Sequence, residues 1–300
     1  MNYPINLKFQ TLRNVIPMLS FEHPTHIGPW QVLSQIGSGT YSQVYKVRKT
    51  ESSPVYALKQ IDICRFEQKE QDYILTEIRI LSSIKHPNII DYIESFVDFE
   101  TKTLCIITEY ADYGDLFCCI KKFRDLNKKI GERDIWMIVF QILRGLKALH
   151  SNLIIHRDLK SANIFLFSDG SVKIGDMNVA VIVQGKGKMA TTQTGTPYYS
   201  SPEVWDGVAY SFKSDLWSLG CLVYEMAAKK VPFDAEDAYK LMKKIQLGIY
   251  DPLPKFYSIE IDKLVTLLLN VDAEVRPTAD GIMEMGFIKK IEKYLEDSYI

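Results

Sequence analysis

Ile155-His156-Arg157-Asp158-Leu159-Lys160-Ser161-Ala162-Asn163-Ile164-Phe165-Leu166 is the stretch on which the reading of this 300-residue chain turns. A carboxylate, an amine and an amide lie between the apolar pairs Ile154-Ile155 and Ile164-Phe165, where polar groups are costly unless they have partners or a task. Asp158 can accept the proton of an attacking hydroxyl, and Lys160 can neutralise charge on a transferred phosphoryl group. Asn163 offers a hard oxygen to Mg²⁺. A purely structural turn has no use for all three. Thirteen residues past Asn163, Val172-Lys173-Ile174-Gly175-Asp176-Met177-Asn178 reads as a strand ending on a carboxylate. Asp176 is the chief candidate to bridge Mg²⁺ to β- and γ-phosphate oxygens. Two protein ligands suffice, because Mg²⁺ retains waters and phosphate oxygens.

Upstream, Ile36-Gly37-Ser38-Gly39-Thr40-Tyr41-Ser42-Gln43-Val44 is a glycine-rich turn between two strand patterns, Trp30–Ile36 and Gln43–Lys49. A dinucleotide fold would follow such glycines with a helix. A hairpin tip poor in side chains can instead lay backbone N–H groups over phosphates. Lys59 follows on a third strand pattern, Val55–Ile61. Eighteen positions later Glu77 falls on an amphipathic helix expected over Glu67 to Ile84, placed to orient the Lys59 amine at an α/β-phosphate.

Further out, the chain divides by pattern. Residues 30–110 are strand-rich, with a fourth strand pattern at Thr103–Tyr110. After Gly114 helices dominate: Asp134 to Ser151, a nearly all-apolar Asp215 to Ala228, then Ala238 to Gln246, Ile261 to Leu269 and Ala279 to Met285. The first 29 residues carry four prolines and no sustained periodicity, and read as an extension. The expectation is an α+β fold of two lobes, a small β-rich N-lobe (about 30–110) with one regulatory helix and a larger α-helical C-lobe (about 114–288), followed by a short tail, 289–300.

Composition fits a packed protein: 47% apolar, 24% charged, 16 glycines and 12 prolines. Thirty-six basic against 37 acidic side chains give a net charge of −1, so no global field recruits nucleic acid or an anionic membrane. The five cysteines, Cys64, Cys105, Cys118, Cys119 and Cys221, form no C-x-x-C pair, which argues against a disulfide framework or a zinc ribbon and for a reducing compartment. No signal peptide or membrane-spanning run is visible, so a cytoplasmic protein is expected. His150 reads as a packed or capping histidine, and His23, His26 and His86 share no metal-ligand spacing.

From about Trp30 to Ile288 the sequence resembles a eukaryotic protein kinase. The landmarks run in order: the glycine loop, Lys59, Glu77, the Asp158 stretch, Asp176, Gly195-Thr196-Pro197-Tyr198-Tyr199-Ser200-Ser201-Pro202-Glu203, Ser214-Asp215-Leu216-Trp217 and Val275-Arg276-Pro277-Thr278. Lys160 and the Gly195-Thr196 pair resemble the serine/threonine class. The stretches around His86-Pro87-Asn88, Glu109–Leu116 and Gly195–Glu203 resemble the NIMA-related kinases. That resemblance implies transfer of the γ-phosphoryl group of Mg-ATP, with Mn²⁺ as a substitute metal, to serine or threonine of protein substrates. It also implies links to microtubules, centrosomes or cilia, and neither nucleic acid nor a membrane span as partner. Val44, Ala57 and Phe165 would sandwich the adenine, with Thr108 controlling access behind it. Glu109 to Ala111 would bond the base, Asp115 would face ribose or substrate, and Thr196 would contact Asp158 and Lys160. Glu203 would pair with Arg276, and Asp215 would anchor the catalytic loop. Phosphorylated Thr192 would pair with Arg157 and order the activation segment.

The sequence departs from the family pattern at Ser42, Met177, Asn178 and Ser201, all mild changes, since Asp176 is kept and Asn tolerates positive φ. Two rival readings stay open: a pseudokinase acting as a nucleotide-binding scaffold or allosteric partner, and a small-molecule phosphotransferase of the same fold. The Gly195–Glu203 platform argues against the second. Val179 leans towards threonine acceptors.

Overall fold

The computed structural model describes residues 24–39, 42–62, 78, 82–98, 100–176, 181–182 and 197–297. The chain divides into two units. One takes in the described residues up to His86 together with Ile90–Asp112, and the other takes in Pro87–Ile89 and the described residues from Tyr113 onward.

The first unit is a six-stranded antiparallel sheet of β1 (His26–Ile27), β2 (Trp30–Ser38), β3 (Ser42–Arg48), β4 (Tyr56–Asp62), β5 (Tyr92–Asp98) and β6 (Thr103–Glu109), in the order β1-β2-β3-β4-β6-β5. The four strand patterns of the sequence are all here. The two-residue β1 and β5 were not foreseen, β5 because Glu94 interrupts its apolar alternation. The interruption has a cause: Glu94 accepts from Trp30 Nε1 at 3.0 Å and from Lys49 Nζ at 3.0 Å. One face of the sheet packs Trp30, Val32, Tyr45, Val47, Leu58, Cys105 and Ile107 into a buried cluster, joined by Ile27 from β1. Thus β1 brings the last residues of the expected extension into the core. Of the expected helix over Glu67–Ile84, only Ile78, Ser82 and Ser83 are described as helical; Glu77 lies outside the described residues.

The second unit is mainly helical: α1 (Leu116–Asp125), α2 (Glu132–Ser151), α3 (Pro202–Trp205), α4 (Phe212–Ala228), α5 (Ala238–Leu247), α6 (Ile259–Leu268), α7 (Ala279–Met283) and α8 (Gly286–Asp297). α4 runs through its core, buried nearly all round as its apolar sequence requires, and starts on a capping box of Ser211 and Ser214. α2 presents Ile135, Ile138, Val139, Ile142, Leu143, Leu146 and Leu149 to the interior. α1, α3 and α8 were not foreseen as elements. α8 carries the chain past Ile288 as helix, burying Ile288 and Leu295 and pairing Glu292 with Arg144 at 2.9 Å, so residues 289–297 of the expected short tail are helical and packed. Short strands β7 (Ile154–Ile155), β8 (Ile164–Leu166), β9 (Val172–Ile174) and β10 (Val181–Ile182) pair as β7 with β10 and β8 with β9. The 3₁₀ turn Ser161–Asn163 sits before β8.

Asn88 ties its segment into this unit. Its amide donates to Gln141 Oε1 at 3.1 Å and to the Val172 carbonyl at 2.9 Å, and its own carbonyl accepts from Ile174 N–H at 2.9 Å. A buried amide with these partners repays its desolvation. Among the described residues, no helix is long and apolar enough to cross a membrane.

Candidate active site

In the sheet unit the glycines lie at the tip of the β2–β3 hairpin. Gly37 pairs with Val44 and Ser38 with Gln43, and Gly39 N–H donates to the Ser42 carbonyl at 2.7 Å. Ile36 sits at a register shift between Gln35 and Gly37 and is exposed. Thr40 and Tyr41 lie outside the described residues.

Residues directly opposite one another in an antiparallel pair share a face, as do positions i and i+2 of one strand. Val44 pairs with Lys59, and Ala57 with Thr108. The register therefore sets Val44, Ala57, Lys59 and Thr108 on one face, opposite the face carrying Tyr45, Leu58 and Ile107. At the end of β6, the Glu109 side chain accepts Asp91 N–H at 2.7 Å while its own N–H donates to the Asp91 carbonyl at 3.0 Å. Among the described residues Ala111 N–H takes no protein partner.

In the helical unit Asp158, Lys160 and Asn163 come together. Lys160 Nζ lies 2.6 Å from Asp158 Oδ2, and Asn163 Nδ2 donates to the same oxygen at 3.1 Å and to the Asp158 carbonyl at 2.8 Å. Asn163 is buried, and its carbonyl accepts Gly175 N–H at 3.0 Å, which sets the residue before Asp176 beside it.

Arg157 and Asp176 hold φ of 69° and 56°, a region non-glycine residues seldom enter, at a cost of about 1–3 kcal/mol each. Such backbone persists where its surroundings over-determine it, and at Arg157 Asp215 does so. From α4 its Oδ1 accepts Arg157 N–H at 3.0 Å, and its Oδ2 accepts His156 N–H at 3.0 Å and lies 2.9 Å from His150 Nε2. His156 Nε2 reaches the Gly175 carbonyl at 3.1 Å, joining the loop to the Asp176 segment. Burial pushes the Asp215 carboxyl up, but the His150 hydrogen bond and the nearby histidine and backbone groups outweigh it and hold it below the usual range. His150 is therefore a packed histidine with a definite job. Arg157 is buried, with its guanidinium 4.7 Å from the centre of the Tyr210 ring.

Phe165 lies half-buried in β8 and bridges to Asp115. Asp115 caps α1, its Oδ1 accepting Cys118 N–H at 2.7 Å. One carboxylate oxygen of the expected ribose- or substrate-facing acid thus serves the helix. Arg276, fully buried, forms a two-pronged pair with Glu203: Nη1 to Oε1 at 2.8 Å and Nη2 to Oε2 at 2.7 Å. Thr192, Thr196, Met177, Asn178 and Val179 lie outside the described residues.

Sequence reading missed one cluster. Ser161, Tyr199 and Glu225 meet in the interior, on the Asp158 loop, the segment before α3 and α4. Its signal was a glutamate in the otherwise apolar run Leu222-Val223-Tyr224-Glu225-Met226. Among the described residues no three His, Cys, Asp or Glu side chains gather to hold a metal.

The chain matches the family described as protein kinase domain over residues 30–288. It is 38% identical over 269 residues to serine/threonine-protein kinase Nek1 of Mus musculus, covering 89% of this chain and 22% of that protein. To Nek2 of Mus musculus it is 35% identical over 270 residues, covering 88% and 61%, and to the G2-specific protein kinase nimA of Emericella nidulans 32% over 294 residues, covering 89% and 42%. The chain thus spans about three fifths or less of the length of these curated relatives. With the β-rich and helical units and the Asp158 loop arranged as above, the chain belongs to the protein kinase family, serine/threonine class, and resembles its NIMA-related members.

Proposed function

We propose that this chain transfers the γ-phosphoryl group of Mg-ATP to serine and threonine hydroxyls of protein substrates. The observation that carries this reading is the Asp158–Lys160–Asn163 cluster on a loop pinned by Asp215. A hydroxyl brought to the Asp158 carboxylate gives up its proton as its oxygen bonds to phosphorus; the bond from the γ-phosphorus to the β,γ-bridging oxygen breaks, and ADP leaves. The Lys160 ammonium offsets charge on the group in transfer. Lys59, oriented by Glu77, would hold the α- and β-phosphates. Val44, Ala57 and Phe165 would enclose the base, and Thr108 would limit the space behind it. The unpartnered Ala111 N–H supports a base-bonding role for that strand end, and Thr196 would steady Asp158 and Lys160.

The donor set suits a hard divalent cation. The Asn163 amide nitrogen is committed to Asp158, which leaves its Oδ1 as the ligand atom, and the Asp176 carboxylate follows the Gly175 contact. A magnesium ion held there would neutralise β- and γ-phosphate charge, and manganese suits the same oxygens.

The two units would act as one catalytic domain over 30–288, flanked by 1–29 and 289–300. Phosphorylation of Thr192 would place charge opposite Arg157, a guanidinium already fixed against Tyr210. Full activity of a Thr192→Ala enzyme on an exogenous peptide would refute that regulation. Resemblance to NIMA-related kinases suggests microtubule, centrosomal or ciliary protein partners and a cytoskeletal place in the cytoplasm, tested by imaging the tagged chain against tubulin.

Transfer of ³²P from ATP to casein or a threonine peptide, abolished by Asp158→Ala, tests the whole reading. Nucleotide binding with no transfer by the phosphorylated protein would replace it with a scaffold role.

A further inference from the structure

Six basic side chains stand against three acidic ones in Lys121–Asp134, within a chain of net charge −1. Lys121, Lys122, Lys128 and Lys129 are exposed, and so is Lys255. The backbone gathers them. Asn127 takes a φ of 50°, and Lys128 N–H turns back to the Phe123 carbonyl at 2.8 Å, returning Lys128 and Lys129 beside the last turn of α1. The loop ahead of α6 joins them: Tyr257 Oη donates to the Ile130 carbonyl at 2.9 Å, and Ser258 N–H to Glu132 Oε2 at 2.9 Å. Lys129 Nζ lies 4.8 Å from the centre of the Phe256 ring.

Nearby acids are engaged, Asp125 beside Arg124 and Glu132 with Ser258 and Trp136. Among the described residues none of the five lysines lies within ion-pair distance of a carboxylate. Uncompensated like charges at close quarters attract a negative partner. Leu126 and Phe256, 47% and 53% exposed, add apolar surface among them. Nucleic acid and anionic lipid are drawn by a broad positive field, which a net charge of −1 does not supply. A short acidic peptide needs only local charge and apolar contacts of this kind.

We propose that the surface of Lys121, Lys122, Lys128, Lys129, Lys255 and Phe256 docks an acidic segment of the protein substrate. The word substrate rests on the kinase reading; the binding does not. α1 starts beside the Asp115–Phe165 bridge and packs against the Ser161–Asn163 turn. Its 10 residues, at about 1.5 Å each, carry its far end about 15 Å from that bridge. An extended peptide covers this in about five residues, so acidic positions at least that far from the acceptor are the ones read.

Two threonine peptides test this, one carrying a run of glutamates about six residues from the threonine and one carrying glutamines there. Fluorescence anisotropy on the full chain without ATP is expected to show about tenfold tighter binding of the glutamate peptide, weakening as salt rises. The Lys128→Glu/Lys129→Glu/Lys255→Glu variant is expected to lose that preference while phosphorylating the glutamine peptide at an unchanged rate. Equal affinity for both peptides, or a preference surviving the triple substitution, overturns the proposal. So does patch-dependent binding of single-stranded RNA or phosphatidylserine vesicles without any peptide preference. Because anisotropy needs no phosphotransfer, a chain that binds the glutamate peptide but transfers nothing leaves the docking standing and removes the kinase reading alone.

Discussion

Tyr199 Oη donates to Glu225 Oε2 at 2.6 Å, inside the helical unit. The Ser161 hydroxyl completes the group, 3.1 Å from Tyr199 Oη and 3.3 Å from Glu225 Oε1. Burial pushes the Glu225 carboxyl up, and the hydroxyl hydrogen bonds pull it partly back. Ser161 lies between Lys160 and Asn163, so this contact fixes the Asp158 loop to the segment around Tyr199.

Removing the phenol should therefore strand a buried carboxylate oxygen. Tyr199→Phe is expected to cost about 1–3 kcal/mol, read as a drop in melting temperature of about 2–4 °C per kcal/mol in a thermal scan. Glu225→Gln keeps an acceptor for Tyr199 and should cost less. A Tyr199→Phe protein melting with the wild type would show that the contact contributes nothing.

The Glu203–Arg276 pair makes a larger demand. Arg276→Met leaves Glu203 without its partner in a buried setting, and about 3–5 kcal/mol of destabilisation is expected in urea unfolding. The double substitution Glu203→Gln/Arg276→Met removes the stranded charge and should recover part of the loss.

The same pair sets a pH dependence. Burial raises the Glu203 carboxyl, but the Arg276 hydrogen bond and charge outweigh it, leaving it below its ordinary value. Its folded state thus binds the proton more weakly than its unfolded state. The stabilisation is complete above the ordinary carboxylate value of about 4–5 and is lost as pH falls through the lowered folded value. Urea midpoints should separate wild type from Glu203→Gln near neutrality and converge in acid; a constant gap would contradict this.

Gly145 of α2 lies against the Asn88 segment. A Cβ there would meet the Asn88 carbonyl oxygen at 2.7 Å and Ile174 Cδ1 at 2.8 Å. Gly145→Ala is expected to destabilise by about 1–3 kcal/mol through overpacking, against the usual gain of alanine in a helix. A raised melting temperature would mean that this backbone contact yields easily.

Asp158→Asn retains an oxygen for Lys160 but cannot take a proton. Single-turnover transfer should slow by about 10²–10⁴-fold while nucleotide titration changes little. Near-normal transfer would remove the base role.

Much of this was legible in the sequence. The Asp158 stretch, the glycine hairpin and the four strand patterns carried their own chemistry and periodicity, and the five helices expected from Asp134 onward lie within about three residues of their observed ends. β5 was hidden by Glu94, whose position makes sense only once Trp30 and Lys49 are beside it. α8 was hidden because a short amphipathic run declares a helix only when there is a core to cover, here Arg144 and its neighbours on α2.

The order of residues by itself determined which chemistry the chain carries, because donor types and spacings are local properties. Placing Asp158, Lys160 and Asn163 within five positions of one another needs no fold. Tertiary structure alone decided what holds them. Asp215 reaches back 58 and 59 residues to pin the backbone at Arg157 and His156, and Glu225 reaches back 64 to Ser161. The same holds at the surface, where Asn127 and the Tyr257–Ile130 bond turn separate lysines into one patch. Burial and hydrogen-bond partnership depend on neighbours that folding supplies, and no window of sequence contains them.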